Sequence, residues 1–272
     1  MTWRAVEQIF QQSLISAFSK KKFLFTFPIL VVCGLMIVFC RALAVGAGNW
    51  ILLSLTFLPI FLSFGLLLAL GVLLIRVYSL EISGKKASFG EVLSDSWQLL
   101  LGASYLSLPL VLGYLLLWTI LGVFYLLKEI PSIGETLGVL LSFGPFLLVL
   151  GTLVLAFFNF FFLFFASPYI AAKNQVKLEL AENAFRIMLK NIFSYLFLFF
   201  LALVPLCVMV GVLSLAAYVT GMNFLQTGQS LTIALQWFFI MLPFCGICTP
   251  AVIFFFHFSA ESYQFIESKQ AA

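Results

Sequence analysis

Long uninterrupted apolar runs alternate with short polar intervals along the whole chain. Six runs are long enough to cross a bilayer as helices, at about residues 23–40, 50–75, 99–127, 137–165, 192–219 and 231–258. Membrane barrels need strands that alternate apolar and polar at period two. These runs are continuous and far longer than a strand, so they predict helices. Polar segments with helical periodicity precede runs one, three and five. The clearest surrounds the octet 179–186, where Leu178, Ala181, Phe185, Met188 and Ile192 fall on one face and Glu179, Glu182, Asn183, Arg186 and Lys190 on the other. Octets of the same type occupy 91–98 and 4–11. The first segment, 3–18, places Trp3, Val6, Phe10, Leu14 and Ala17 on one side, and Ser88 with Glu91 has the spacing of a capping box.

The runs pair as hairpins, one with two, three with four, five with six. Each first run carries Pro28, Pro109 or Pro205, and each second run Pro59, Pro145 or Pro243. Ser104-Tyr105-Leu106 recurs as Ser194-Tyr195-Leu196 in the corresponding run. The expected fold is an all-α integral membrane protein. Its six transmembrane helices form three parallel repeats of a cytoplasmic amphipathic helix plus a proline-bearing helical hairpin. All of 1–272 is one membrane domain, with repeat 1 at 3–77, repeat 2 at 88–166, repeat 3 at 177–258 and a cytoplasmic tail at 259–272. In that tail Tyr263-Gln264 echoes Phe185-Arg186. Each unit contributes two spans, so a pseudo-symmetry axis would run along the membrane normal.

Composition strengthens this reading. Hydrophobic residues make up 64% of the 272 positions, charged residues 9%, and Phe occurs 34 times; mean hydropathy is +1.18. A soluble domain has about 25% charged residues. The net charge of +4 is no signal for nucleic acid, because the charges follow membrane topology. Every Lys and Arg except Arg41 and Lys128 falls on one side of the six runs. The positive-inside rule then puts both termini and all three octets in the cytoplasm. A cleaved signal peptide is the rival for the first run, with Ala42-Leu43-Ala44 as a cleavage-like site. The long glutamine-rich segment ahead of it favours an uncleaved span, and Phe39 before Cys40 disfavours lipoprotein processing.

Candidate chemistry is sparse. Trp3, Phe10, Trp97 and Phe185, with Lys20, Lys21, Lys22, Lys85, Lys86 and Arg186, are the expected interfacial or lipid contacts. The same helices would serve equally well as simple anchors for the hairpins. Within the runs the candidate intramembrane polar residues are Asn159 and Gln236, and no Asp, Glu, Lys or Arg lies deep in any of them. Proton relays and voltage sensors normally depend on such charges. Cys245 and Cys248 form a C-x-x-C inside an apolar run, which suits small-residue packing around Gly246 better than zinc or redox chemistry. His257, the single histidine, sits at the cytoplasmic end of run six. Gly65 and Ala69 form a small-xxx-small seam. No catalytic, cofactor or metal motif appears, and no cofactor is expected.

At its octets, each leading into a proline-bearing run, the chain resembles the membrane domain of some glycerophosphodiester phosphodiesterases and the stand-alone relatives of that domain. The resemblance covers most of the chain and implies a six-span bundle in the bacterial inner membrane. The chain carries no attached phosphodiesterase domain, so no catalytic residue is implied. Three functional expectations follow. The first is a non-catalytic module organising membrane lipids or partner proteins, including a second copy of itself. The second is a transporter with a pathway among the hairpins, which requires a polar mid-bilayer cavity reached by Asn159 or Gln236. The third, an intramembrane lipid enzyme, lacks acid–base and metal groups.

Overall fold

The computed structural model describes residues 3–44, 47–84, 89–173, 192–220 and 231–271. It is helical throughout, with no strand among the described residues. In chain order the helices are α1 (Trp3–Ala17), α2 (Lys20–Leu43), α3 (Asn49–Ile82), α4 (Phe89–Tyr105), α5 (Leu108–Glu129), α6 (Pro131–Lys173), α7 (Ile192–Val219) and α8 (Leu231–Ala271). Six stretches are long and apolar enough to cross a membrane, the third running through the break between α4 and α5. Lipid offers backbone groups no hydrogen bonds, so each apolar run satisfies its own as a helix.

Several boundaries differ from those the sequence predicts. The third apolar run is interrupted at Leu106 and Ser107, so that α5 begins at Leu108. Pro109 lacks the N–H that would bond the Tyr105 carbonyl. Leu106 and Ser107 therefore close the α4 end with bonds to the carbonyls of Ala103 and Ser104. Pro109 thus starts a helix, whereas Pro28 and Pro205 lie inside theirs. The interval after Arg76 is helical to Ile82, and the supposed tail is helix through Ala271. Both stay helical because their polar residues alternate with apolar ones that still pack, such as Val77, Tyr263 and Ile266. The octet at 179–186, the capping-box Ser88 and the link at 221–230 lie outside the described residues.

The second helices of the hairpins form the centre. α3, α6 and α8 pack on one another, with α2 between α3 and α8 and α5 between α3 and α6. α7 packs on α8, with a smaller contact to α6. α1 lies on α8 and α4 lies on α3. The central helices are also the long ones, at 34, 43 and 41 residues. The outer ones have 24, 22 and 28. Since about 20 residues cross a bilayer core, α3, α6 and α8 are each long enough to cross it and still extend beyond.

Phenylalanine fills the centre. Phe61 and Phe64 of α3, Phe164 and Phe165 of α6, and Phe254, Phe256 and Phe258 of α8 are each no more than 1% exposed. Lipid tails are as apolar as these rings, so close dispersion contact, more than exclusion of water, favours the packing. The rings meet mainly edge to face, as Phe164 does with Phe255 at 5.5 Å between centroids. Two glycines let backbones approach. A Cβ on Gly71 would overlap the Phe256 ring and stand 2.7 Å from Ser167 Oγ, and one on Gly65 would stand 3.1 Å from the Ser104 carbonyl.

Candidate functional site

Polar side chains gather at the end of the bundle shared by α1, α4 and the C-terminal parts of α3, α6 and α8. Two constructions stand out there, a buried cationic network and an open cleft.

The network is centred on Lys22, near the start of α2 and only 3% exposed. Its Nζ lies 2.9 Å from Ser16 Oγ of α1, 2.9 Å from His257 Nε2 of α8 and 2.8 Å from Glu81 Oε2 of α3. An ammonium has three donors and no acceptor, so these three partners use it fully. Nε2 therefore accepts, and the His257 proton sits on Nδ1, an assignment that follows from the donor count. Ser16 Oγ also lies 3.0 Å from Nε2. The imidazole packs edge-on to Tyr78, with 4.4 Å between ring centroids, and Lys22 Nζ lies 5.7 Å from the centroid of the same ring. Four helices converge on one charge. Only Glu81, whose side chain is half exposed, reaches solvent appreciably.

The cleft lies between the ends of α3, α6 and α8 and has a volume of about 390 Å³. α3 supplies Ile75, Arg76, Ser79 and Leu80, and α6 supplies Pro168, Ala171 and Ala172. α8 supplies Ala260, Tyr263, Gln264 and Glu267, which share one helix face at spacings of three and four. Arg76 is tethered to α4 by donating to the buried Ser96 hydroxyl at 2.6 Å. A second crevice, between α3, α5 and α6, is about 20 Å³ and has room for a single water.

The expected contact residues divide. Lys20, Lys21 and Trp97 are exposed. Lys22 is not an interfacial contact, because its neighbours draw it inward. Phe10 is half-buried and packs on Phe254 and Phe258, at 4.9 and 6.2 Å between centroids, in place of dipping outward. The buried face of α1 is Val6, Ile9, Ser13 and Ala17, turned from the expected one so that Leu14 is exposed. The Trp3 side chain and Lys85, Lys86, Phe185 and Arg186 lie outside the described residues.

Gln236 is exposed on α8 and lines neither the cleft nor the crevice. Asn159 is buried at 2%, and its Oδ1 has no hydrogen-bond partner. It lines neither the cleft nor the crevice. Cys245 and Cys248 are free buried thiols, and Cys245 donates to the Leu30 carbonyl at 3.3 Å, which makes it a packing contact between α8 and α2. Among the described residues no cluster of His, Cys, Asp and Glu is arranged to hold a metal.

Sequence reasoning missed the network because its members come from four helices. One signal was available. The buried stripe of α2 runs Lys22, Thr26, Cys33, at helical spacings, and Lys20 and Lys21 fall off it. Comparison with family models, curated proteins and solved structures gave no match.

Proposed function

We propose that this chain is a multi-pass protein of the bacterial inner membrane that acts as a non-catalytic module, organising lipid or partner proteins at the cytoplasmic leaflet. The one-sidedness of its polar chemistry carries this reading. The centre between α3, α6 and α8 is filled by phenylalanine, while the cleft, Lys22 and the polar faces of α1 and α4 gather at one end. The charge asymmetry around the spans supports placing that end in the cytoplasm. The resemblance of the octets to the membrane domain of glycerophosphodiester phosphodiesterases points the same way.

The packing order also supports a threefold repeat. α1 lies on the second helix of the third hairpin and α4 on the second helix of the first. These two amphipathic helices thus each rest on the preceding hairpin, taken cyclically. Superposing the three hairpins tests this, and hairpins that do not superpose would remove it.

Co-purification in mild detergent, with bound lipids and proteins identified by mass spectrometry, tests the function. Retained lipid that weakens on reversing Lys20 and Lys21 to Glu, with orientation checked in the same membranes, is the expected result. Lys22 must stay unchanged in that experiment, since reversing it would break the buried network. A carrier is the second reading, favoured by the unpartnered Asn159 Oδ1. It requires a polar route to that amide.

A further inference from the structure

The cleft combines room, position and charge in a way that selects a ligand chemistry. Its volume of about 390 Å³ lies within the range of small-molecule sites. The room exists because α6 presents only Pro168, Ala171 and Ala172 to it, and α8 contributes Ala260. Its walls are the final turns of three candidate spans, which end at Ile82, Lys173 and Ser268. That is the level at which a bilayer gives way to headgroups.

Opposite charges line the cleft from different helices. Arg76 comes from α3 and Glu267 from α8. Among the described residues no ion pair joins them, since the ion pair found is Lys22 with Glu81. Arg76 gives one N–H to Ser96, and the remaining donors of its planar fork suit a phosphate. Glu267 has only acceptors, which suit a primary ammonium. Two unlike charges that share a cleft without pairing match a ligand carrying the same two charges in reverse order.

We propose that this cleft binds a phosphoethanolamine group, with its phosphate on Arg76 and its ammonium on Glu267. The group is available as a lipid headgroup or as the free zwitterion. The lipid source rests on the organising reading above, whereas the charge pattern does not. A phosphoglycerol headgroup offers Glu267 no cation, and a phosphocholine headgroup offers an ammonium with no N–H to donate.

The test uses the full-length protein in nanodiscs of mixed phosphatidylethanolamine, phosphatidylglycerol and phosphatidylcholine. Lipid retained after extraction is read by native mass spectrometry, and free phosphoethanolamine is titrated separately against detergent-purified protein. The wild type should retain phosphatidylethanolamine about tenfold over phosphatidylglycerol, the factor expected from one charge-assisted contact of about 1.4 kcal/mol. Glu267→Gln should bring the two close to parity, and Glu267→Lys should reverse the order. Glu267 is exposed, so both variants should fold, and unfolding curves matching the wild type check this. Arg76→Gln should weaken retention of all three lipids. Retention of the lipid with no response to the free zwitterion supports the site with a lipid as its ligand. A response to both supports it with the headgroup as sufficient. Equal retention of all three lipids by the wild type, or a preference unchanged in both Glu267 variants, overturns the site and leaves the organising reading standing. A response to the free zwitterion without retained lipid supports the site and removes its lipid source, whereas no retained lipid and no response to the zwitterion overturns the site together with the lipid-organising half of the reading above.

Discussion

Lys22 Nζ donates to His257 Nε2 across 2.9 Å, a buried hydrogen bond between the first and last spans, 235 residues apart. With Ser16 and Glu81 it also fastens α1 and α3 to the same point. The contact ties α1, α2, α3 and α8 together at one end of the bundle.

Removing one partner should therefore loosen that end. His257→Leu leaves a buried ammonium one acceptor short, at a cost of about 1–3 kcal/mol. His257→Gln, whose amide oxygen still accepts, should recover part of the loss. Thermal unfolding in detergent measures both, and equal stabilities for the two variants would refute the hydrogen-bond account.

Gly71 faces Phe256 of α8 and Ser167 of α6 at close range. Gly71→Ala drives a methyl group into Phe256 and Ser167 and should destabilise by about 1–3 kcal/mol. Gly113 on α5 is different, because a methyl group added there would meet nothing within 4 Å. Gly113→Ala should gain about 0.5–1 kcal/mol from helix propensity. Denaturant or thermal midpoints compare the pair directly.

Asn159 carries a buried carbonyl oxygen with no partner. Asn159→Leu should raise stability by about 1 kcal/mol if that oxygen is an uncompensated cost. A clear loss of stability would instead reveal a ligand or water bound to the amide, and would favour the carrier reading.

Orientation is open to reporter fusions. An alkaline phosphatase fused after Lys128 should be active, and one fused after Ala272 inactive, because the charge asymmetry puts those sites on opposite faces. The reverse pattern would invert every assignment of the polar end.

Much of the fold was legible because lipid leaves an apolar run few choices. The spans around Phe161, Leu198 and Phe254 needed no knowledge of their neighbours to be read as helices. α1 and α4 followed from periodicity, though the buried face of α1 was misplaced: Ser13 packs inward and Leu14 does not. The site was much less visible. Lys22 stood among three lysines that served as one topological signal, and its partners are spread from Ser16 to His257. The cleft needs Arg76, Pro168 and Glu267 at the same level of three helices. That coincidence depends on how far each central helix runs, and charge after Arg76 and beyond His257 disguised those extensions as loop and tail.

The phenylalanine centre has an electrical meaning. An ion passing between α3, α6 and α8 would have to shed its hydration among Phe64, Phe164 and Phe254, where neither carbonyl ring nor carboxylate replaces it. A bilayer holding this structure should keep its voltage.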